Sequence, residues 1–299
     1  MDRITITAPA KINLFLKILG RRQDGYHFLA TLMQKINLYD QLELNKTPAG
    51  INLKCPDSAL PEDERNLVFR AAQLFFEKSS ERLPDKHSGV TITLSKKIPV
   101  AAGLGGGSSD AAASLLGLDA LFETNWTVDE LQRMGVTLGA DVPLFLVDWP
   151  IAWAEGIGDE LFPACPLLDY LVLLVNPGFS VSTQWVYENF ALTLGQNIFN
   201  LINSQVGKLS HGKRDDLTHR PIMPFEIEND LERITVGRFP EINSVKNKLL
   251  QGGAVASLMS GSGPTVFGLF PKSEGKKAAV CYEELRREYR NTFLVDTLH

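Results

Sequence analysis

The chain has few cysteines: Cys55, Cys165 and Cys281 are the three in 299 residues, odd in number and far apart. That excludes a disulfide framework and any Cys-x-x-Cys metal site, and it fits a reducing compartment. No apolar run approaches the ~20 residues that span a bilayer, and Met1-Asp2-Arg3-Ile4-Thr5 has no signal-like apolar core. The expectation is a cytoplasmic protein with no membrane partner. Positive charge is not in excess either, because the formal net charge is −5. Nucleic-acid binding depends on phosphate neutralisation by Lys and Arg, so no nucleic-acid partner is expected. Pairs such as Lys96-Lys97 and Lys276-Lys277 read as solvated faces. Internal repeats and low-complexity segments are absent. The composition is that of an ordinary globular protein, and the length allows two domains.

What is abundant is glycine in one place. Gly103-Leu104-Gly105-Gly106-Gly107-Ser108-Ser109-Asp110 has four glycines in five positions, a concentration that costs backbone entropy and therefore implies a use. The β-branched run Val90 to Leu94 precedes it. Asp110 to Phe122 reads as a helix that follows it, with Ser108 or Ser109 as the cap. A glycine-rich turn that delivers amides to a helix N-terminus suits phosphate. It is not a P-loop, because Ser108 and Ser109 stand where Gly and Lys are required. Nor is it a dinucleotide fingerprint, since Ser108 occupies the third glycine position and no acid-ended strand follows at the usual distance. A flexible interdomain hinge is the alternative use of such a stretch.

Strand and helix signals alternate without a strict βαβ rhythm, which argues for an α+β arrangement of two domains. Ile4 to Thr7 and Ala10 to Ile18 have period two, so Ile12, Leu14, Leu16 and Ile18 share one face and Lys11, Asn13, Phe15 and Lys17 the other. The Asp24-Gly25 turn leads into strands at 26–38 and 40–44. Helices are expected at 66–78 and from the capping box Thr127-Val128-Asp129-Glu130 to near Gly139. Strands are expected at 151–155 and 170–175, with Pro163-Ala164-Cys165-Pro166 between them as the domain boundary. The second half offers helices near 183–190, 198–206, 240–251 and 273–289, and strands at 254–260, 265–270 and 292–297. The polar stretch 204–220 reads as a mobile loop.

Three further features accompany the loop: Lys11 with Asn13 on one strand face, Asp141 just after a helix end, and a second glycine-rich turn at Ser260-Gly261-Ser262-Gly263-Pro264. The order Pro9-Ala10-Lys11-Ile12-Asn13, then Pro99 with Gly103 to Ser109, then Ser260 to Thr265 resembles the three motifs of the GHMP kinase superfamily of small-molecule kinases, over nearly the whole chain. Within it, Asp24-Gly25-Tyr26-His27 and Leu138-Gly139-Ala140-Asp141-Val142-Pro143 resemble the branch acting on a cytidyl alcohol, 4-diphosphocytidyl-2-C-methyl-D-erythritol, in the non-mevalonate isoprenoid pathway. The resemblance implies ATP-dependent phosphorylation of that alcohol's 2-hydroxyl with Mg2+, by a monomer or weak dimer. It also implies a GHMP kinase fold: residues 1–163 as an N-terminal ATP-binding domain like the second domain of ribosomal protein S5, and residues 164–299 as a ferredoxin-like substrate domain.

By the same resemblance, Lys11 and Asp141 are the catalytic pair. Asn66, Pro99, Gly103, Leu104, Gly105, Gly106, Gly107, Ser108 and Ser109 hold ATP. Asn13, Tyr26, His27, Asp141, Thr183, Tyr187, Gly261, Ser262 and Gly263 face the substrate. Chemically, Asp141 can accept the hydroxyl proton, Lys11 can orient it and neutralise charge, and the loop amides and a serine hydroxyl suit phosphate or magnesium. From the residues alone, Asp141 also reads as a turn residue, Lys11 as a surface lysine and Asn66 as a helix cap. Asp110, whose carboxylate would repel ATP if it faced the phosphates, is assigned to capping or to magnesium, and no residue is fixed as a metal ligand. Strand alternation sends Tyr26 and His27 to opposite faces, so one of the two reaches the base unless the backbone is irregular. Other readings are a homoserine or mevalonate type of kinase, a nucleotide-binding protein without catalysis, and an RNA-binding module, the last disfavoured by the acidic balance.

Overall fold

The computed structural model describes residues 1–22, 24–56, 58–83, 88–194 and 207–299. The helix expected at 198–206 lies outside them. The chain divides into two compact units. One comprises Met1–Ala10, Leu38–Ile98 and Gly105–Asp148, and the other Lys11–Asn37, Pro99–Leu104 and Trp149–His299. Neither is a continuous stretch, whereas the sequence reading expects continuous domains at 1–163 and 164–299. Two long strands, β1 (Arg3–Arg21) and β2 (His27–Thr47), each contribute to both units. The period-two pattern lapses at Pro9 and at Tyr39, which predicts two strands in each place where one continues.

In the first unit, β4 (Gly89–Ser95) lies antiparallel to the end of β2, from Gln41 opposite Ser95 to Thr47 opposite Gly89, and parallel to β3 (Gly50–Lys54). Val90, Ile92 and Leu94 alternate inward as the pleat requires. Four helices complete the unit: α1 (Leu67–Lys78), α2 (Gly106–Phe122), α3 (Val128–Leu138) and α4 (Val142–Leu146). The second helix packs on the other three and is buried nearly all round, from Ser109 through Ser114 to Phe122. That explains its run of alanines and its lack of a polar stripe. At the edge of this core the Arg82 guanidinium stacks 3.6 Å from the Trp126 ring, whose Nε1 donates to Ser79 Oγ at 3.0 Å.

The second unit is built on an antiparallel sheet in the order β11 (Asn291–Asp296), β7 (Tyr170–Asn176), β10 (Val266–Pro271), β9 (Ala256–Met259). The helices α8 (Glu241–Gln251) and α9 (Gly275–Glu288) pack on this sheet, around Leu173, Val175, Leu249, Val266, Phe270 and Leu285. The early part of β2 pairs with β5 (Ile151–Glu155), which pairs with β6 (Glu160–Pro163). The later part of β1 pairs with the short β8 (Glu228–Asn229), Phe15 opposite Glu228. Helices α5 (Thr183–Leu194), α6 (Gly207–His219) and α7 (Glu232–Arg238) fill the remainder. Most of the expected loop at 204–220 is therefore helix. Its polar, glycine-containing sequence hid it, and it is anchored by Leu217, 1% exposed, whose carbonyl accepts from Cys165 N at 3.0 Å.

Candidate active site

Lys11 and Asn13 lie on β1 where both strand faces are covered, so their face is not the outward one that alternation suggested: they are 3% and 2% exposed. Burial on this scale requires partners. Lys11 Nζ donates to Asn13 Oδ1 at 2.6 Å, Asn13 Nδ2 donates to Thr31 Oγ1 at 2.8 Å, and Thr31 Oγ1 donates to the Phe15 carbonyl at 2.7 Å. The backbone continues the network. Lys11 N donates to the Leu104 carbonyl at 3.0 Å, and Asn13 N donates to Ser260 Oγ, which donates to the Gly103 carbonyl at 2.9 Å. The first motif, the opening of the glycine-rich loop and the late glycine turn are thus joined within one unit.

The approach is close enough to dictate glycine. Gly103 has φ +76, and a Cβ there would lie 2.1 Å from the Ser260 carbonyl oxygen. Asn229 Nδ2 holds the late turn by donating to the carbonyls of Met259 and Gly261 at 2.8 and 2.7 Å. Ser262 Oγ meets Thr183 Oγ1 at 2.8 Å, which brings together two residues expected on the substrate side. His27 and Tyr187 also meet, with ring centroids 5.3 Å apart and planes tilted by 35°. His27 Nε2 is buried and without a hydrogen-bond partner. Burial, and then the Arg21 charge, hold its imidazole below the ordinary 6.5. Tyr26 precedes the strand and is 61% exposed, whereas His27 opens it and is buried.

In the other unit the loop turns into α2. Gly105, with φ +70, is the cap residue, and no side chain caps the helix. Ser108 and Ser109 therefore sit inside the first turn rather than at its cap. Ser109 Oγ is buried with no hydrogen-bond partner. Asp110 is not a cap either. Its Oδ2 accepts from Lys96 Nζ at 2.6 Å, and Lys96 also ion-pairs with Asp40. The three side chains are 7%, 0% and 3% exposed for Lys96, Asp40 and Asp110. Lys96 is thus buried rather than part of a solvated lysine pair. Burial pushes the Asp110 carboxyl up to about 7 against the pull of Lys96. The same burial opposes the Lys96 ammonium, but Asp110 and Asp40 outweigh it and hold that group above its ordinary value. Asn66 caps α1, its Oδ1 accepting from Val68 N at 3.0 Å, so the structural role open to it is filled. Asp141 is half-buried at the start of α4, one residue before Val142, and makes no side-chain cap bond to that helix. No group of three His, Cys, Asp or Glu suited to a metal occurs among the described residues, and no helix among them is long and apolar enough to cross a membrane.

Residues 66–148 match the family model described as GHMP kinases N terminal domain, and residues 215–291 that described as GHMP kinases C terminal. The chain belongs to the GHMP kinases. A 4-diphosphocytidyl-2-C-methyl-D-erythritol kinase of Syntrophus aciditrophicus (strain SB) is 46% identical over 276 residues, 92% of this chain and 93% of that protein. A crystal structure of 4-(cytidine 5'-diphospho)-2C-methyl-D-erythritol kinase superposes with a TM-score of 0.75 at 32% identity, covering 99% of this chain and 100% of that one. The L. major mevalonate kinase in complex with R-mevalonate has a TM-score of 0.69 at 15% identity, covering 99% and 97%, and shares the fold alone. The α+β architecture of a GHMP kinase accordingly stands. Thr31, Asn229 and the pairing of Lys96 with Asp40 and Asp110 are not legible in the sequence, because nothing in their spacing separates them from ordinary strand, turn and surface residues.

Proposed function

We propose that this GHMP kinase transfers the γ-phosphoryl group of ATP to the 2-hydroxyl of 4-diphosphocytidyl-2-C-methyl-D-erythritol, giving the 2-phosphate and ADP. The observation that carries this reading is the 46% identity over nearly the full chain to a kinase named for that alcohol. The mevalonate and homoserine readings have no comparable support. Asp141 takes the hydroxyl proton. The alcohol oxygen bonds to the γ-phosphorus as the bond to the β-phosphate oxygen breaks, and ADP leaves. Lys11, kept in place by Asn13, neutralises charge on the transferring group. The amides of Gly103 to Ser109 hold the ATP phosphates, and Asn66 and Pro99 belong to the nucleotide side.

Mg2+ prefers hard oxygen donors and keeps several waters, so one or two protein oxygens suffice. The buried and unpartnered Ser109 Oγ fits that requirement, whereas Asp110 is engaged by Lys96. When bound with ATP, the ion would supply charge neutralisation on the phosphates. On the alcohol side, the unpartnered Nε2 of a neutral His27 can make one hydrogen bond to the cytosine edge, as donor or acceptor according to the tautomer. Tyr187 forms the second wall of the base site and Tyr26 its outer edge, while Asn13, Thr183, Gly261, Ser262 and Gly263 border the acceptor. We assign residues 1–163 to the ATP-binding domain and 164–299 to the substrate domain of a cytoplasmic enzyme, monomeric or weakly dimeric. ADP release measured in parallel with the cytidyl alcohol, homoserine and mevalonate tests the reading. A preference for either of the latter two would overturn the substrate while leaving a kinase.

A further inference from the structure

The strand and the helix that flank the glycine-rich loop are tied together by buried charge. Asp40 Oδ1 accepts from the backbone amides of Lys97 and Ile98 at 2.6 and 2.9 Å, the last residues before Pro99. Its other oxygen pairs with Lys96, and Lys96 reaches across to Asp110 in α2. Gly106 lies directly over this bridge. A Cβ on it would sit 3.2 Å from Lys96 Nζ and 3.0 Å from Ile98 Cγ2. The chain entering the loop and the chain leaving it are therefore pinned to one ion cluster.

Such a cluster is a poor source of net stability, because desolvation of three charges offsets most of their attraction and apolar packing of equal volume commonly does as well. Its distinguishing property is geometry. Charge-assisted hydrogen bonds are short and directional, and a loop held at both ends loses less freedom when it closes on a ligand. We propose that Lys96 and Asp110 are positioning residues of the ATP site, which set the spacing between Ile98 and Gly106 and so pre-form the amide cradle for the phosphates. The inference rests on the reading that ATP phosphates lie on the glycine-rich loop. Neither residue needs to touch the nucleotide.

The test is steady-state kinetics with ATP, Mg2+ and the cytidyl alcohol on three folded variants, with thermal melts by circular dichroism in the absence of nucleotide. Asp110→Asn keeps the shape and removes one charge. It is expected to raise the ATP KM about tenfold while kcat and the alcohol KM stay within about twofold. Lys96→Met breaks both pairs and moves the ATP KM further in the same direction. The apolar double variant Lys96→Met with Asp110→Leu separates position from stability. It is expected to melt at or above the temperature of Asp110→Asn and still to bind ATP weakly. An ATP KM within about twofold of wild type in folded Asp110→Asn, or its recovery in the double variant, overturns the inference. A parallel rise in both KM values does the same. Should a lysine variant fail to fold, Asp110→Asn alone decides. Wild-type protein that neither binds nor turns over ATP instead removes the kinase reading, a result distinct from active wild type with indifferent variants.

Discussion

Two lysines are buried next to glycine-rich backbone, one in each unit, and their surroundings differ. Lys96 stands between two carboxylates and its charge is absorbed by the fold around it. Lys11 donates to an amide oxygen, in a chain of neutral groups that runs through Asn13 and Thr31 to the Phe15 carbonyl. Burial alone assigns neither of them a role. The neighbours distinguish them, because Lys96 is clamped by carboxylates that fix backbone, whereas Lys11 is tied into the amide and hydroxyl network that joins β1 to β2.

The sharpest way to test this contrast is to remove the chemistry on one side. Asp141→Asn and Lys11→Met are expected to lower kcat by about a hundredfold or more with ATP affinity within about twofold, the scale of a lost general base or charge stabiliser. Near-normal turnover in Asp141→Asn would make it structural and erase the contrast. A second break targets the backbone instead. Gly103→Ala introduces a Cβ at φ +76 and 2.1 Å from the Ser260 carbonyl, so stability should fall by about 2 kcal/mol or more, seen as a lower melting temperature. At Gly105, which has φ +70 but caps the helix, Gly105→Val should weaken ATP binding. Unchanged ATP affinity in folded protein would remove the loop from the site.

Smaller effects are expected at the base pocket. His27→Ala and Tyr187→Ala should raise the KM for the cytidyl alcohol by about tenfold, since base stacking is worth about 1–3 kcal/mol, and leave that for ATP nearly unchanged. Equal effects on both substrates would point to folding. The smallest concerns pH. The folded His27 imidazole titrates below 6.5, so the unfolded chain binds the proton first as pH falls. Its contribution is fully present above the unfolded value and diminishes as pH drops below it. Melts between about pH 7 and pH 5 should show a shallower loss of stability for His27→Gln than for wild type. Parallel curves would refute it.

Local chemistry was readable wherever a side chain acts on its own backbone. Thr127 and Glu130 form the reciprocal capping bonds that their spacing announces, and Asn66 caps α1. The pattern of β4 and the run of β7 carried their strands. Reading failed where tertiary packing overrides the local rule. Lys11 follows strand alternation to a face that is covered, and Ser108 and Ser109 are good caps displaced by Gly105, whose left-handed backbone starts the helix earlier. Asp110 could not be placed from sequence because its partner Lys96 lies 14 residues away, and Asp40, which shares that lysine, lies 56 residues from it. The polar α6 lacks a clear apolar periodicity, and among its described residues Leu217 is buried while Lys213 and Arg214 lie over the Phe15 and Phe162 rings. The three ordered motifs, at Pro9 to Asn13, at Pro99 with Gly103 to Ser109 and at Ser260 to Thr265, are legible because each is marked by residue type and order along the chain.

The stack of Arg82 on Trp126 has an optical consequence. Of the four tryptophans in the chain, Trp126 is the one within the unit that contains the ion cluster, while Trp149, Trp153 and Trp185 belong to the other. Its indole is held 3.6 Å from a guanidinium and tied to Ser79. With the other three replaced by phenylalanine, the emission wavelength of that single fluorophore would report the melting of one unit separately from the other, and so reveal whether they come apart together.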